Sequence, residues 1–389
     1  MTAQSDPFTI TLGDPSESAR ERYHEGAFCD GRLLVASPRE PSWSLGALLD
    51  SLGEDVEREV LVLGMGQWTQ SVLALAIENL HPRASVDFFS FEAFEQRRAM
   101  RTFRGHGSPG MRCILGADLP DEERYDWVLL SLSRTGDKAF TGDCLRQVWS
   151  ALRTRGKVVL AIDSRRDQWV RKQVQEVFGD VTIAQSSEGG LVYVARKKPG
   201  TQIRRRNYTR SFQATLFDVD LELESRPGVF SHGELDEGTL ALSEIAEPKP
   251  DGRIVDMGCG SGAIGIAAAR SSLWCRVLMV DSNLRAVQAA RRNVLRNHVT
   301  SNALVLPGFH LGAVREGSVD YVLANPPYYG SFRISELFVR EAFRLLRSGG
   351  ELALVTKAPD EHCLLLQEVF GDGEIFDRRG YTVFRVLKS

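Results

Sequence analysis

Ile254-Val255-Asp256-Met257-Gly258-Cys259-Gly260-Ser261-Gly262-Ala263-Ile264-Gly265 is the stretch that decides the fold of this chain. A short apolar run carrying one acid meets three alternating glycines, and an alanine-rich helical pattern follows at once. Glycines let the backbone turn tightly and approach a ligand that any side chain would exclude. The helix beginning there presents unpaired N–H groups and the positive end of its dipole. A strand, glycine loop and helix in this order point to a parallel sheet covered by helices.

Working outward, the pattern has occurred before. Val60-Leu61-Val62-Leu63-Gly64-Met65-Gly66 precedes it at an offset that other segments share within a few residues. Tyr125 to Leu130 matches Val319 to Ala324, and Arg146 to Leu152 matches Arg340 to Leu346. The pentapeptide Glu176-Val177-Phe178-Gly179-Asp180 returns as Glu368 to Asp372. Repetition at one offset predicts two copies of one fold, roughly 25–196 and 211–389. In the second copy, runs at 253–257, 276–281, 303–306, 319–324 and 350–356 read as strands. Helical periodicity covers 262–270, 284–297, 334–347 and 360–370, with Gly349-Gly350 expected to close the third of these helices. The tail from about Glu374 to Lys388 reads as an antiparallel hairpin around Arg378-Arg379-Gly380.

Composition narrows the class. The 389 residues are 43% hydrophobic and 25% charged, which suits two or three globular domains. No apolar run approaches the roughly 18 residues of a membrane span, and the N-terminus lacks a secretory pattern. Six cysteines without CxxC or CxH spacing argue against zinc and disulfides and suit a reducing cytoplasm. His232, His298, His310 and His362 have no ligand spacing and read as surface or capping residues. Residues 1–196 hold 23 Lys+Arg against 28 Asp+Glu, and residues 211–389 hold 19 against 23. Between them, Lys197, Lys198, Arg204, Arg205, Arg206 and Arg210 form a basic linker over 197–210 that either contacts phosphates or is solvated. Arg291, Arg292 and Arg296, on one helix, could face solvent or RNA, and the solvated face is the favoured reading.

Two constellations carry chemistry. Asp281 ends the next strand after the glycine loop, where a carboxylate can accept both ribose hydroxyl hydrogens. Gly260, Gly262 and Gly265 also satisfy GxGxxG, so a dinucleotide competes for this loop. Asp256, two positions before the first glycine, favours S-adenosylmethionine, a ligand without a pyrophosphate. At the end of the fourth strand stands Asn325-Pro326-Pro327-Tyr328. Two prolines remove two N–H donors and stiffen the loop. The Asn325 side-chain oxygen and the Pro326 carbonyl can accept both hydrogens of a planar amino group and aim its lone pair at a methyl donor. Tyr328 offers a face on which a flipped base could stack. The plainer reading is a proline turn after a strand.

On these residues the second copy resembles class I S-adenosylmethionine-dependent amino methyltransferases with an N-P-P-[FY] loop. It is most similar to ribosomal RNA guanine-N2 methyltransferases that carry a degenerate N-terminal duplicate. Pro227-Gly228-Val229-Phe230-Ser231 and Leu235-Asp236-Glu237-Gly238-Thr239 match that family's segment ahead of the glycine loop. The resemblance implies two tandem Rossmann-like α/β domains, each a mostly parallel sheet finished by an antiparallel hairpin. It implies that Gly258, Gly260, Asp281 and Asn325 contact the cofactor, flanked by Asp236 and Thr239. It further implies methyl transfer to a guanine amine of ribosomal RNA or a ribosomal subunit. Tyr328-Tyr329 replaces the family's frequent Phe-His, and Pro307-Gly308-Phe309 lacks the polar residue often used to hold the adenine amine. Phe309 either stacks on adenine or belongs to the core.

The first copy has lost these features. Ser131-Leu132-Ser133-Arg134 takes the place of the tetrapeptide, Val62 stands where Asp256 stands, and Gln67-Trp68 interrupts the glycine series. The expectation is therefore a degenerate domain over 1–196 with a scaffold or RNA-positioning role, the linker, and a catalytic domain over 211–389. The expected protein is a cytoplasmic monomer without metal or membrane. Methylation of a protein glutamine or an adenine amine, and a catalytically silent RNA-binding or assembly protein, are the alternatives.

Overall fold

The computed structural model describes residues 8–11, 24–28, 33–37, 43–52, 58–65, 69–108, 111–204, 206–308, 311–327 and 332–389. The chain divides into two compact units, Met1–Arg206 and Asn207–Ser389.

In the first unit, β1 (Phe8–Thr11), β2 (His24–Phe28) and β3 (Leu33–Ser37) form a small sheet of order β1-β3-β2. After α1 (Trp43–Asp50), alternation begins: β4 (Glu59–Gly64), α2 (Thr69–Leu80), β5 (Ser85–Ser90), α3 (Ala93–Gly105) and β6 (Arg112–Leu115). It continues with β7 (Tyr125–Leu132), α4 (Lys138–Ala151), β8 (Leu152–Ile162) and α5 (Trp169–Phe178), and closes on β9 (Val181–Ser187) and β10 (Gly190–Arg196). The seven strands from β4 onward lie in the order β6-β5-β4-β7-β8-β10-β9.

The second unit opens on a hairpin, β11 (Arg210–Leu216) and β12 (Val219–Ser225), followed by α6 (Glu237–Ile245). Then come β13 (Arg253–Met257), α7 (Ala263–Ser271), β14 (Arg276–Asp281), α8 (Leu284–Arg296) and β15 (Ala303–Pro307). The chain finishes with β16 (Val319–Ala324), α9 (Phe332–Leu345), β17 (Leu346–Thr356), α10 (Pro359–Val369), β18 (Gly373–Arg378) and β19 (Tyr381–Leu387). Their order, β15-β14-β13-β16-β17-β19-β18, repeats that of the first unit strand for strand. In both sheets the penultimate strand in space runs antiparallel to its two neighbours.

The central strands of the second unit, β13, β16 and β17, are buried on both faces because their side chains alternate between two cores. Ile254, Tyr321, Leu323, Ala353 and Val355 join one core, while Val255, Met257, Val322, Ala324, Leu352 and Leu354 join the other. The nearly uninterrupted apolar runs of the sequence follow from this two-sided burial.

One expectation is corrected. Gly349-Gly350 does not close a helix: α9 ends at Leu345, and both glycines lie within β17. They build an irregularity where the pairing with β16 shifts between Val319 and Tyr321. A Cβ on Gly350 would meet the carbonyls of Arg347 and Val319 at 2.9 and 3.2 Å, so only glycine fits. The first unit repeats the device at Gly156, against the carbonyls of Arg153 and Tyr125 at 2.9 and 3.1 Å. Even the left-handed residue beforehand is shared, Arg155 at φ 71° and Gly349 at φ 69°.

The basic run at 197–210 is divided among several jobs. Lys197 continues the pairing of β10 with β8, its N–H donating to the Gly156 carbonyl. Its ammonium is buried over the Trp149 ring, donating to Glu123 and the Leu152 carbonyl. Lys198 donates to Asp180, and Arg210 opens β11. Arg204 and Arg206 are exposed on the connecting stretch, and Arg205 lies outside the described residues.

Candidate functional site

The carboxyl ends of β13, β14 and β16 and the start of α6 bring the sequence-predicted residues together. Gly258, Gly260 and Gly262 have φ of 72°, 57° and 86°, a left-handed conformation that glycine adopts without cost. A side chain on Gly258 would meet the Phe338 ring at 3.2 Å. Gly262 caps α7 and packs on Ala290 and Ile266, so its work is helix packing. Gly265, one turn into α7, is the tightest position: an added Cβ would lie 2.5 Å from Met279 Cγ and 2.9 Å from Asp256 Oδ2. Gly265→Ala is expected to cost about 1–3 kcal/mol through overpacking, read as a lower melting temperature of the intact chain. An unchanged melt would show that α7 shifts to make room.

Asp256 sits beneath this loop, 3% exposed, with Oδ2 accepting the Gly265 N–H at 2.9 Å. Burial pushes its carboxyl up to about 7, assisted by the Asp281 charge and opposed by that N–H. The protonated form is therefore favoured in the fold, whereas an unfolded chain ionises near 4. Stability is fully present below about 4 and drains as pH rises toward 7. Asp256→Asn keeps an acceptor for Gly265 and removes the titration. Its melting temperature is expected to gain on the parent by ~4 °C or more between pH 5 and pH 8. Parallel melting curves across that range would refute the assignment.

Asp281 ends β14 with each carboxylate oxygen already oriented by one backbone donor. Gly260 N–H reaches Oδ2 and Asn283 N–H reaches Oδ1, both at 2.8 Å. Burial raises its carboxyl from the ordinary range, and these two donors pull it back. A carboxylate oxygen has a second lone pair, so both can still accept hydroxyl hydrogens from a ribose. The fit of a cofactor to this cradle thus rests on three features: backbone that only glycine can adopt, a pinned carboxylate, and a helix N-terminus.

Asn283 does more than its position in the sequence suggested. Its Oδ1 caps α8 by accepting from Arg285 and Ala286 N–H, and its Nδ2 donates to the Gly228 carbonyl at 2.7 Å. The neighbouring Arg285, fully buried, donates Nη1 to the Pro227 carbonyl at 2.9 Å. Two side chains of one helical turn thereby tie the Pro227-Gly228 segment to the strand end that carries Asp281. Sequence reasoning missed both, since an arginine in a helix reads as exposed.

Asn325 follows β16 directly. Its Nδ2 donates to Asp236 Oδ2 at 3.2 Å and to Thr239 Oγ1 at 3.2 Å. Asp236 is itself fixed as the cap of α6, accepting from Gly238 and Thr239 N–H at 3.1 and 3.3 Å. With the amide nitrogen held, Oδ1 is the arm turned the other way. Pro326 is buried and Pro327 half-buried. Tyr328, Tyr329 and Phe309 lie outside the described residues.

The first unit builds the same scaffold and fills it. Val62 pairs with Phe88 and Leu129, as Asp256 pairs with Met279 and Leu323. Ser90 takes the strand position of Asp281 and turns its hydroxyl to Glu92 backbone. Ser131 stands for Asn325, but β7 runs on through Leu132, and Ser133 and Arg134 are tied to Asp163. Gln70, 1% exposed, spans the gap by donating to the Ser131 carbonyl at 2.9 Å and accepting from Met65 N–H. Gln67 and Trp68 lie outside the described residues.

Residues 220–385 match the methyltransferase small domain family. A ribosomal RNA small subunit methyltransferase C of Pseudomonas entomophila is 28% identical over 294 residues, covering 72% of this chain and 84% of that protein. The Shigella flexneri protein of the same name is 33% identical over 179 residues, 44% of this chain and about half (51%) of that one. The solved T. thermophilus 16S rRNA N2 methyltransferase, in complex with AdoMet and guanosine, superposes at a TM-score of 0.74. The match covers 95% of this chain and 98% of that one at 22% identity, which establishes the two-unit fold. Residues 220–385 thus match the methyltransferase small domain family, and the two units have the fold of the class I S-adenosylmethionine-dependent methyltransferases, similar to a ribosomal RNA guanine-N2 enzyme.

Proposed function

We propose that this chain methylates the exocyclic N2 amine of a guanine in small-subunit ribosomal RNA, with the second unit catalytic and the first not. The observation that carries the reading is the Asn325 amide, whose nitrogen is locked by Asp236 and Thr239 at the mouth of the glycine loop. S-adenosylmethionine supplies an electrophilic methyl group when bound. Asn325 Oδ1 and the Pro326 carbonyl accept the two amine hydrogens, so the nitrogen lone pair is held toward that methyl. Pro326 and Pro327 bring no N–H to compete for the acceptors. Asp281 receives the ribose hydroxyls, Gly258 and Gly260 let the backbone approach, and Asp256 supports the loop from below. Tyr328 supplies a stacking face for the base. The first unit serves as scaffold and RNA-positioning domain, and the chain works as a cytoplasmic monomer.

The test is transfer of radiolabelled methyl from S-adenosylmethionine to ribosomal RNA and subunits from cells lacking this protein, with nucleoside analysis. Label in N2-methylguanosine, absent with Asn325→Ala, is expected. Label in N6-methyladenosine would move the assignment to the adenine amine. No label in RNA despite cofactor binding would overturn the reading and direct the search to protein glutamines.

A further inference from the structure

Residues 96–117 hold five arginines and no acid, inside a half of the chain whose balance is negative. Four of them, Arg97, Arg98, Arg101 and Arg104, lie on α3 and are all exposed. At 100° per residue they fall within one arc of about 120°, opposite the buried Ala99 and Phe103. Along the axis they extend for roughly 10 Å at 1.5 Å per residue. Among the described residues, Arg98, Arg101 and Arg104 have no carboxylate partner. Arg112, at the start of β6, is different, its guanidinium lying 3.4 Å from Asp87.

The duplicate offers an internal control. Helix α8 has the same length and the same place in its unit, following the strand that ends at Asp281 as α3 follows the strand that ends at Ser90. One flank of it lies under β12, and its exposed arginines are answered by neighbours. Asn293 and Asn297 clasp β12 through the backbone of Glu224 and Glu222, and Glu224 pairs with both Arg292 and Arg296. Arg291 turns its guanidinium to the Val305 carbonyl of the edge strand. On α3 the two positions matching the asparagines are Thr102 and His106. Both bond back to their own helix, to the carbonyls of Arg98 and Thr102. α3 therefore keeps the helix, lacks the asparagines that hold a strand on α8, and carries three arginines without a carboxylate partner among the described residues.

A row of guanidinium groups on a net-acidic body attracts a polyanion locally and repels it elsewhere. Arginine forks suit phosphate oxygens and stack on unpaired bases. We infer that the α3 face of the catalytically silent unit is an RNA-binding surface, which grips the phosphate backbone of the RNA substrate while the second unit holds the target base. The inference rests on ribosomal RNA being the substrate.

The experiment compares the full chain with a triple variant, Arg98→Gln, Arg101→Gln and Arg104→Gln, and with a charge-matched control on exposed positions elsewhere in the same unit. That control is Arg165→Gln, Arg171→Gln and Lys172→Gln. Binding of a ribosomal RNA fragment is titrated across salt, and methyl transfer is followed with RNA and cofactor varied separately. Losing three phosphate contacts is expected to flatten the log–log salt slope by about 2–3 and to raise KM for RNA about 10-fold. Cofactor KM, kcat and melting temperature stay near the parent values, and the control behaves as the parent. A triple variant with the parent's salt slope and KM overturns the inference, as does equal weakening in the control. A defect confined to assembled subunits, with naked-RNA binding intact, also overturns it and points to a ribosomal protein. Absence of RNA methylation in the parent would instead strike the proposed function, so the two failures are distinguishable.

Discussion

Replacing Asn325 by alanine is expected to lower kcat for methyl transfer by about 10²–10³, the cost of removing one preorganised acceptor at a reacting centre. The effect should fall on kcat because the Asn325 side chain is proposed to meet the amine, whereas the groups argued to hold the cofactor, Asp281 and the glycine loop, remain. Asp236 keeps its helix-capping bonds to Gly238 and Thr239 N–H without Asn325, so folding should be little affected. Asn325→Asp is informative for a different reason. It would set a second carboxylate in place of an amide nitrogen that lies 3.2 Å from Asp236 Oδ2, and two like charges there repel. That variant should lose activity as fully as the alanine and should melt earlier, with the loss of stability easing as pH falls. Steady-state kinetics with cofactor and RNA varied separately make the comparison. A kcat within about threefold of the parent for Asn325→Ala would remove this residue from the mechanism.

Asp281→Ala is expected to weaken S-adenosylmethionine binding by about 10²-fold, read by calorimetry or equilibrium dialysis. Hydrogen bonds to a charged acceptor contribute about 1.5–3 kcal/mol each, so two ribose hydroxyls account for roughly 3 kcal/mol and two decades. A second consequence is local. Gly260 and Asn283 N–H lose their acceptor, and Asn283 is the residue whose Nδ2 holds Gly228. The glycine loop and the Pro227-Gly228 segment should loosen together, visible as faster amide hydrogen exchange in both. A dissociation constant within threefold of the parent would place the ribose elsewhere.

Much of this protein was legible from local chemistry. Strands expected at 253–257, 276–281 and 319–324 occupy those residues, because β-branched runs buried on both faces leave few alternatives. The duplication was legible because matching segments, such as Glu176 to Asp180 and Glu368 to Asp372, recur at one offset, and the two copies share one strand order. Gly349-Gly350 was misread because two glycines after a helical pattern resemble a helix stop. The carbonyls of Val319 and Arg347 that exclude a side chain at Gly350 come partly from a strand about 30 residues away.

Local residues were enough for the class of the fold, the glycine loop and the tetrapeptide proposed to take an amine, since each depends on neighbours a few residues apart and on backbone torsions. Only the tertiary structure decided what occupies each pocket and which charges are answered. Gln70 closes the first unit's site through Ser131, 61 positions on. Glu224 neutralises Arg292 and Arg296 of α8 from 68 and 72 positions back, while among the described residues no carboxylate does this for Arg98, Arg101 and Arg104 of its twin. A charge is answered or left open by whatever the fold packs against it, and that neighbour is not written beside it in the chain.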